Sequence, residues 1–279
     1  MIAGCTLPSW GRLLIKVINT SRRANSPALR VISRDNAVDF SQVPGITRGK
    51  ESALEELNSL VGLGKIKELI FEVYAFAEVQ KRRERLGLST EKTVLHMVFK
   101  GNPGTGKTTI ARIIGRLLFE AGLLEKGHIV EVERADLVGE YIGHTALKTK
   151  EQVKKAQGGI LFIDEAYSLS RGGEKDFGKE CIDCIVKSME DRAKETVFIL
   201  AGYPFEMEQF IRSNPGLRSR FPIHLDFPDY DLPDLMRIAE LMLNKRDYRL
   251  KTDSRVALQQ IVQRKMAAEA VPSNARLIR

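Results

Sequence analysis

Apolar residues at Ile66, Leu69, Ile70, Val73 and Ala77 recur at three- and four-residue spacing through KIKELIFEVYAFAEVQKRRERLGL, which predicts a helix that stops at Gly87. VLHMVFKG (94–101) is a short apolar run ending in glycine and predicts a buried strand. In TTIARIIGRLLFEAGLL, residues Ile110, Ile113, Ile114, Leu117, Leu118 and Ala121 share one face, so an amphipathic helix follows. HIVEVE (128–133), GILFID (159–164), TVFILAG (196–202) and IHLDF (223–227) predict four further strands, most of them separated by helical patterns. That alternation predicts an α/β fold: a parallel sheet flanked by helices on both faces. After Pro228 the strand patterns stop, and DLPDLMRIAELMLNKR and SRVALQQIVQRKMAAEA predict two helices of a small domain. The expected organisation is an extension over 1–50, an α/β body over 51–228 and a helical unit over 229–279.

The chain has 279 residues, 43% hydrophobic and 29% charged, enough for one or two domains with a real core. No run reaches ~18 uninterrupted apolar residues, so no membrane span is expected. Three cysteines, Cys5, Cys181 and Cys184, make no disulfide framework, which favours a cytoplasmic chain. Cys181 and Cys184 form a CxxC inside KECIDCIVKSMED, a helical pattern where this spacing is ordinary packing. A redox or metal role would call for a second Cys or His pair, which does not accompany it.

The formal charge of +8 is uneven, because residues 1–50 carry eight Lys/Arg against two Asp. That head holds +6 of the total and leaves +2 on the remainder, so a basic face for nucleic acid is not expected on the folded part. The head is Arg- and Ser-rich, and its apolar run LLIKVI is broken by Lys16, a poor secretory core. A disordered basic arm, a targeting segment and a start site upstream of the true one all fit. An unstructured extension is the preferred expectation.

GNPGTGKT, from Gly101 to Thr108, fits GxxxxGK[ST] and sits between the first strand and its helix, the context that this motif requires. The candidate phosphate-binding set is Gly101, Asn102, Pro103, Gly104, Thr105 and Gly106, with Lys107, Thr108 and Thr109 opening the helix. Glycines let the backbone curl so that successive N–H groups face phosphate oxygens, and the helix N-terminus adds partial positive charge. Lys107 is placed to reach the β- and γ-phosphates of ATP, and Thr108 to bind Mg²⁺.

GILFIDEAYS supplies the second half: four apolar residues bury a strand, and Asp164 and Glu165 follow at its end. Strand ends in such sheets face the ligand crevice. Asp164 is placed to hold Mg²⁺ directly or through water, and Glu165 to orient and polarise the attacking water. In NPGLRSRFPIHLDFP, Arg218 and Arg220 precede a strand. They read either as a solvated basic turn or as a cation that stabilises transition-state charge in a neighbouring subunit.

LVGLGKIKELI, GNPGTGKTTIARIIG, ERADLVGEYIGHTALKT, GILFIDEAYSLSRGGEKDFGKE and NPGLRSRFPIHLDFPDY, in this order, resemble the AAA+ ATPases of the CbxX/CfqX group. The resemblance runs from about residue 51 to 279 and includes the segments between motifs. It implies an ATP-dependent ring, usually hexameric, with sites between subunits. Val61, Gly62 and Leu63 are then implied walls of the adenine pocket. Arg220 becomes the likelier trans-acting finger, with Arg218 its neighbour, and Arg276, which the pattern of NARLIR sets at the start of a helix, the sensor-2 arginine of the lid. By count, Tyr203 takes the sensor-1 position, where the family commonly has a polar residue such as Asn or Thr.

The same resemblance bears on GEYIGHTALKT. An aromatic–aliphatic–glycine loop after the second strand faces the central pore in such rings. This makes Tyr141, Ile142 and Gly143 the substrate-gripping pore loop, with Gly139 and Gly143 as pivots. The alternative is Tyr141 packed on its own domain. RGGEKDFGKE (171–180) is either a second pore loop or an ordinary exposed loop.

The family's lid continues beyond the sensor-2 arginine, whereas this sequence runs three residues past Arg276. The expectation is a fragment or an incomplete lid, with weak sensor-2 function and weak ring assembly; a stable hexamer by native mass spectrometry contradicts it. The implied function is ATP-driven remodelling of an unidentified protein client, with a role in bacterial spore formation. A remodeller of the red-type Rubisco activase kind is one alternative. An ATP-binding switch with little hydrolysis is another, and a nucleic-acid motor is disfavoured by the +2 charge.

Overall fold

The structure, a computed structural model, describes residues 53–89, 94–141, 143–171, 177–191, 195–269 and 271–278. The expectations for residues 1–50, for Ile142 and for most of the 171–180 loop's glycine-rich half lie outside the described residues. Five strands form one parallel sheet: β1 (Met97–Gly101), β2 (Ile129–Val132), β3 (Ile160–Ile163), β4 (Val197–Gly202) and β5 (Ile223–Phe227). Their order across the sheet is β2-β3-β4-β1-β5. All five coincide with the apolar runs of the sequence.

Side chains alternate across a strand, and this divides the core in two. Met97 and Phe99 of β1, with Ile160 and Phe162 of β3 and Ile199 of β4, pack on one face. That face is covered by α1 (Ala53–Ser59), α2 (Gly64–Arg85) and α3 (Lys107–Glu120). Val98, Leu161, Ile163, Phe198 and Leu200 point the other way. They meet α4 (Arg134–Leu137), α5 (His144–Lys155), α6 (Gly178–Asp191), α7 (Pro204–Ser213) and α8 (Pro215–Arg220). Helix α2 ends where expected: Leu86 caps it and Gly87 turns away at φ 67°.

Because every strand is parallel, the carboxyl ends of β1, β3 and β4 lie on one edge, and β4 sits between the other two. This edge is the crevice in which open α/β sheets bind ligands. Beyond β5 come α9 (Leu232–Asn244) and α10 (Thr252–Ala268), matching the two helices expected there. Asp231 caps α9 by accepting from the Asp234 N–H at 2.7 Å, with Pro233 in the first turn. Arg276 does not start an α-helix, as the sequence suggested; it lies inside a five-residue 3-10 turn, Asn274–Ile278. Left-handed backbone at Asn274 (φ 52°), two residues after Pro272, starts the tighter turn.

Candidate nucleotide site

Residues 102–106 carry the chain from the end of β1 into α3. Gly104 (φ 74°) and Gly106 (φ 96°) adopt left-handed backbone, which glycine takes without steric cost. Gly106 is the N-cap of α3 and provides no side-chain acceptor for its first turn. The N–H donors there are left for an anion, and phosphate suits such a terminus. Thr105 is fully buried and closes the loop, its hydroxyl donating to the Asn102 carbonyl at 2.8 Å.

Lys107 folds back over the same loop, its Nζ donating to the Gly101 carbonyl at 2.7 Å and the Asn102 carbonyl at 2.9 Å. Burial lowers its pKa. Asp164 opposes that shift, Arg276 adds to it, and Glu165 and Asp229 oppose it more weakly. Four charged groups from three parts of the chain thus act on one ammonium. Thr108 is half-buried beside it and Thr109 is exposed.

Asp164 leaves the fully buried strand β3 half-buried, and Glu165 is exposed. Glu165 has φ 46° and ψ 42°, left-handed for a residue with a side chain, a conformation that costs of order 1–3 kcal/mol. Its N–H donates to the Asp164 carboxylate at 2.9 Å, which helps hold the turn. Among the described residues, no three His, Cys, Asp or Glu gather into a metal site. This donor set fits Mg²⁺ carried by a nucleotide, because Mg²⁺ takes few protein ligands and keeps water and phosphate oxygens. Thr108 and Asp164 are the residues that would hold it.

Tyr203 follows β4 directly as the N-cap of α7, and its ring lies 6.1 Å from that of Tyr167. Burial, and next Glu165, push the Tyr167 hydroxyl up to about 12. Arg171 stacks on the Tyr167 ring, 4.6 Å from its centre. Gly62 (φ 64°) and Leu63 (φ 59°) turn back-to-back before α2, with Val61 half-buried ahead of them. A Cβ at Gly62 would sit 3.4 Å from the Tyr230 ring, and one at Gly106 3.6 Å from the Tyr230 hydroxyl and 3.9 Å from Leu63. The implied adenine wall therefore adjoins the phosphate loop, with Tyr230 between them.

Two groups of expected residues lie on other elements of the chain. Arg218 is exposed on α8, while Arg220, 28% exposed, pairs with Glu190 of α6 and donates to the Gly216 carbonyl at 3.0 Å. Tyr141 is 66% exposed and its ring meets that of His144 edge-on, centres 5.4 Å apart. Gly143 (φ 83°) caps α5 with open space around it, whereas a Cβ at Gly139 would lie 2.5 Å from His144. Cys181 is buried and accepts from the Thr149 hydroxyl at 3.4 Å; burial pushes its thiol up to about 12, as suits a packed side chain.

Residues 97–229 match the ATPase family associated with various cellular activities (AAA), and residues 232–279 match the AAA lid domain. The chain belongs to the AAA ATPase family. Members of this family are ATP-hydrolysing enzymes. The chain is 59% identical over 200 residues to stage V sporulation protein K of Bacillus subtilis, covering 72% of this chain and 62% of that protein. It is 49% identical over 212 residues to protein CbbX of Cereibacter sphaeroides, covering 75% and 69%. It is also 44% identical over 231 residues to the chloroplastic ribulose bisphosphate carboxylase/oxygenase activase of Cyanidioschyzon merolae, covering 82% and 78%.

The AAA lid brings in residues that sequence reasoning passed over. Ala275 donates its N–H to the Gly104 carbonyl at 3.2 Å, so the segment bearing Arg276 rests on the phosphate loop. Asn274 is buried beneath that contact, and Tyr230 donates its hydroxyl to the Thr105 carbonyl at 3.2 Å. Asp229 accepts from Asn102 at 3.0 Å and from Asn274 at 2.8 Å. The only local signals were the FPDY that follows β5 and the asparagine before Ala275 in NARLIR.

Proposed function

We propose that the chain binds Mg-ATP in this crevice and couples its hydrolysis to remodelling a protein client, as one subunit of a homo-oligomeric ring, a hexamer by family habit. The supporting observation is the convergence on Lys107 of Asp164, Arg276, Glu165 and Asp229 at the end of a strand–loop–helix. In this reading residues 51–228 are the ATPase body and 229–279 the lid, and the protein works in the cytoplasm. Bound Mg²⁺ supplies charge neutralisation on the phosphate oxygens. Lys107 and the glycine loop bind and orient the β- and γ-phosphates. Val61, Gly62 and Leu63 flank the base, and Thr108 and Asp164 orient the metal. Glu165 aligns the attacking water and draws on its proton. Tyr203 stands at the sensor-1 place, beside Tyr167.

Arg276 reaches the terminal phosphate from the lid of the same chain. Arg220, with Arg218 beside it, acts on the neighbour's site, a contribution worth about 10³–10⁵ in rate. Tyr141, Ile142 and Gly143 line the pore, where Tyr offers contact area at low entropic cost. The 59% identity to a sporulation protein supports a client used in spore formation. The identities to CbbX and to the Rubisco activase support a second reading, a Rubisco-type client. Hydrolysis of Mg-ATP, with Lys107→Ala as the blank, tests the first step: activity well above the blank is expected, and a wild-type rate equal to the blank overturns it. Stimulation by purified Rubisco favours the second client over the first.

A further inference from the structure

We propose that Asn274 is a positioning residue whose buried amide clamps the lid to the phosphate loop and so sets where Arg276 stands relative to the terminal phosphate. The inference rests on the ATPase reading above and assigns a task within it.

Asn274 is 3% exposed, and three of its four partners lie more than forty residues away in sequence. Its Nδ2 donates to the Pro103 carbonyl at 3.2 Å, the Asp229 carboxylate at 2.8 Å and the Pro272 carbonyl at 3.2 Å. Two N–H bonds are thus spread over three acceptors. Its Oδ1 accepts from the Tyr230 N–H at 2.8 Å. One side chain therefore joins the phosphate loop, the exit of β5 and the lid. Asp229 is shared, because the Asn102 amide of the phosphate loop donates to both of its oxygens at 3.0 Å. A shift in the loop is transmitted through this carboxylate to the lid.

The backbone explains the residue type. At φ 52°, position 274 requires left-handed geometry, which glycine and asparagine tolerate best. Glycine would satisfy the backbone and lose all four side-chain bonds. Aspartate would keep the acceptor for Tyr230 and lose the donors, setting a carboxylate against Asp229. Arg276 follows two residues later in the same five-residue turn, so its reach depends on how this turn is seated.

A mainly structural role and a positioning role differ in what they change. Loosening the fold weakens ATP and ADP alike. Misplacing Arg276 weakens only the ligand that has a γ-phosphate. The test measures binding of ATP and ADP, as fluorescent analogues, to wild type, Asn274→Gly, Asn274→Asp, Arg276→Ala and the Asn274→Gly/Arg276→Ala double variant. A lost charged contact to phosphate corresponds to about tenfold in affinity. Asn274→Gly and Asn274→Asp are expected to lose about tenfold for ATP with less than about twofold for ADP, and the double variant to bind no worse than Arg276→Ala. Equal losses for both nucleotides, or losses that multiply in the double variant, overturn the proposal. Wild type that discriminates normally with both Asn274 variants unchanged overturns it too, and leaves the ATPase reading intact. Wild type that binds neither nucleotide sinks both.

Discussion

Arg220 of α8 forms an ion pair with Glu190, near the end of α6 in the same chain. The proposed finger is therefore held within its own subunit. Glu190 is 57% exposed, and exposed pairs are worth only about 0–1 kcal/mol, so in the proposed ring the pair would yield easily to a neighbour's phosphate. Glu190→Gln is expected to change the steady-state ATPase rate by less than about fivefold. Arg220→Ala is expected to lower it by about 10³ or more. Equal effects of the two in a hydrolysis assay would show that the pair is structural.

Gly104 and Gly106 both have left-handed backbone but differ in what lies beside them. A Cβ at Gly104 would collide with the Ser273 carbonyl and come within 3.0 Å of the Arg276 nitrogen, whereas at Gly106 nothing lies nearer than 3.6 Å. Either alanine carries the left-handed strain, about 1 kcal/mol or more. Gly104→Ala must also push the lid off the loop. It is expected to lower Tm further than Gly106→Ala, a comparison made by scanning calorimetry. Equal Tm values would mean that the lid does not rest on Gly104 in solution.

His96 is buried under Phe198, whose N–H donates to its Nδ1 at 3.2 Å, and burial pulls its pKa down to about 4. The unfolded chain binds the proton at about 6.5, so the stability that His96 contributes is present above pH 6.5 and is lost as pH falls toward 4. The linkage amounts to about 2 kcal/mol by pH 5. His96→Asn keeps an acceptor and removes the titration. Urea melts at pH 7 and pH 5 are expected to show a drop smaller by about that amount in the variant. An unchanged drop would place the titration elsewhere.

Tyr141 stands exposed, with His144 as its ring neighbour. Tyr141→Ala is expected to leave stability within about 0.5 kcal/mol. It is expected to keep basal ATP hydrolysis while abolishing client remodelling. Loss of stability beyond that range would return Tyr141 to a packing role.

The sequence made the strands legible because each buried run is short, apolar and bounded by glycine or charge. Ile160–Ile163 is buried throughout, and Asp164 marks its end. The phosphate loop was legible because its chemistry is contiguous: Gly101 to Thr108 needs only the adjoining strand and helix. The order that places β4 between β3 and β1 was not legible, because periodicity assigns a face to each residue and no neighbour to each strand. The Asn274–Asp229–Asn102 network was hidden for the same reason. Its members lie in three distant segments, and only Asn102 sits in a motif with a local spacing. Arg276 was expected to begin a helix, but the left-handed Asn274 gave a 3-10 turn instead.

In the proposed ring, each ATP site is completed by a neighbouring subunit. Arg220→Ala and Glu165→Gln are each expected to disable a site, the first in the adjacent subunit and the second in its own. Mixed in equal amounts, the two inactive chains are expected to regain Mg-ATP hydrolysis, up to about a quarter of the wild-type rate, where an intact Glu165 meets an intact Arg220 across a head-to-tail interface. A mixture as inactive as its components, under conditions in which wild type forms rings, would contradict the account.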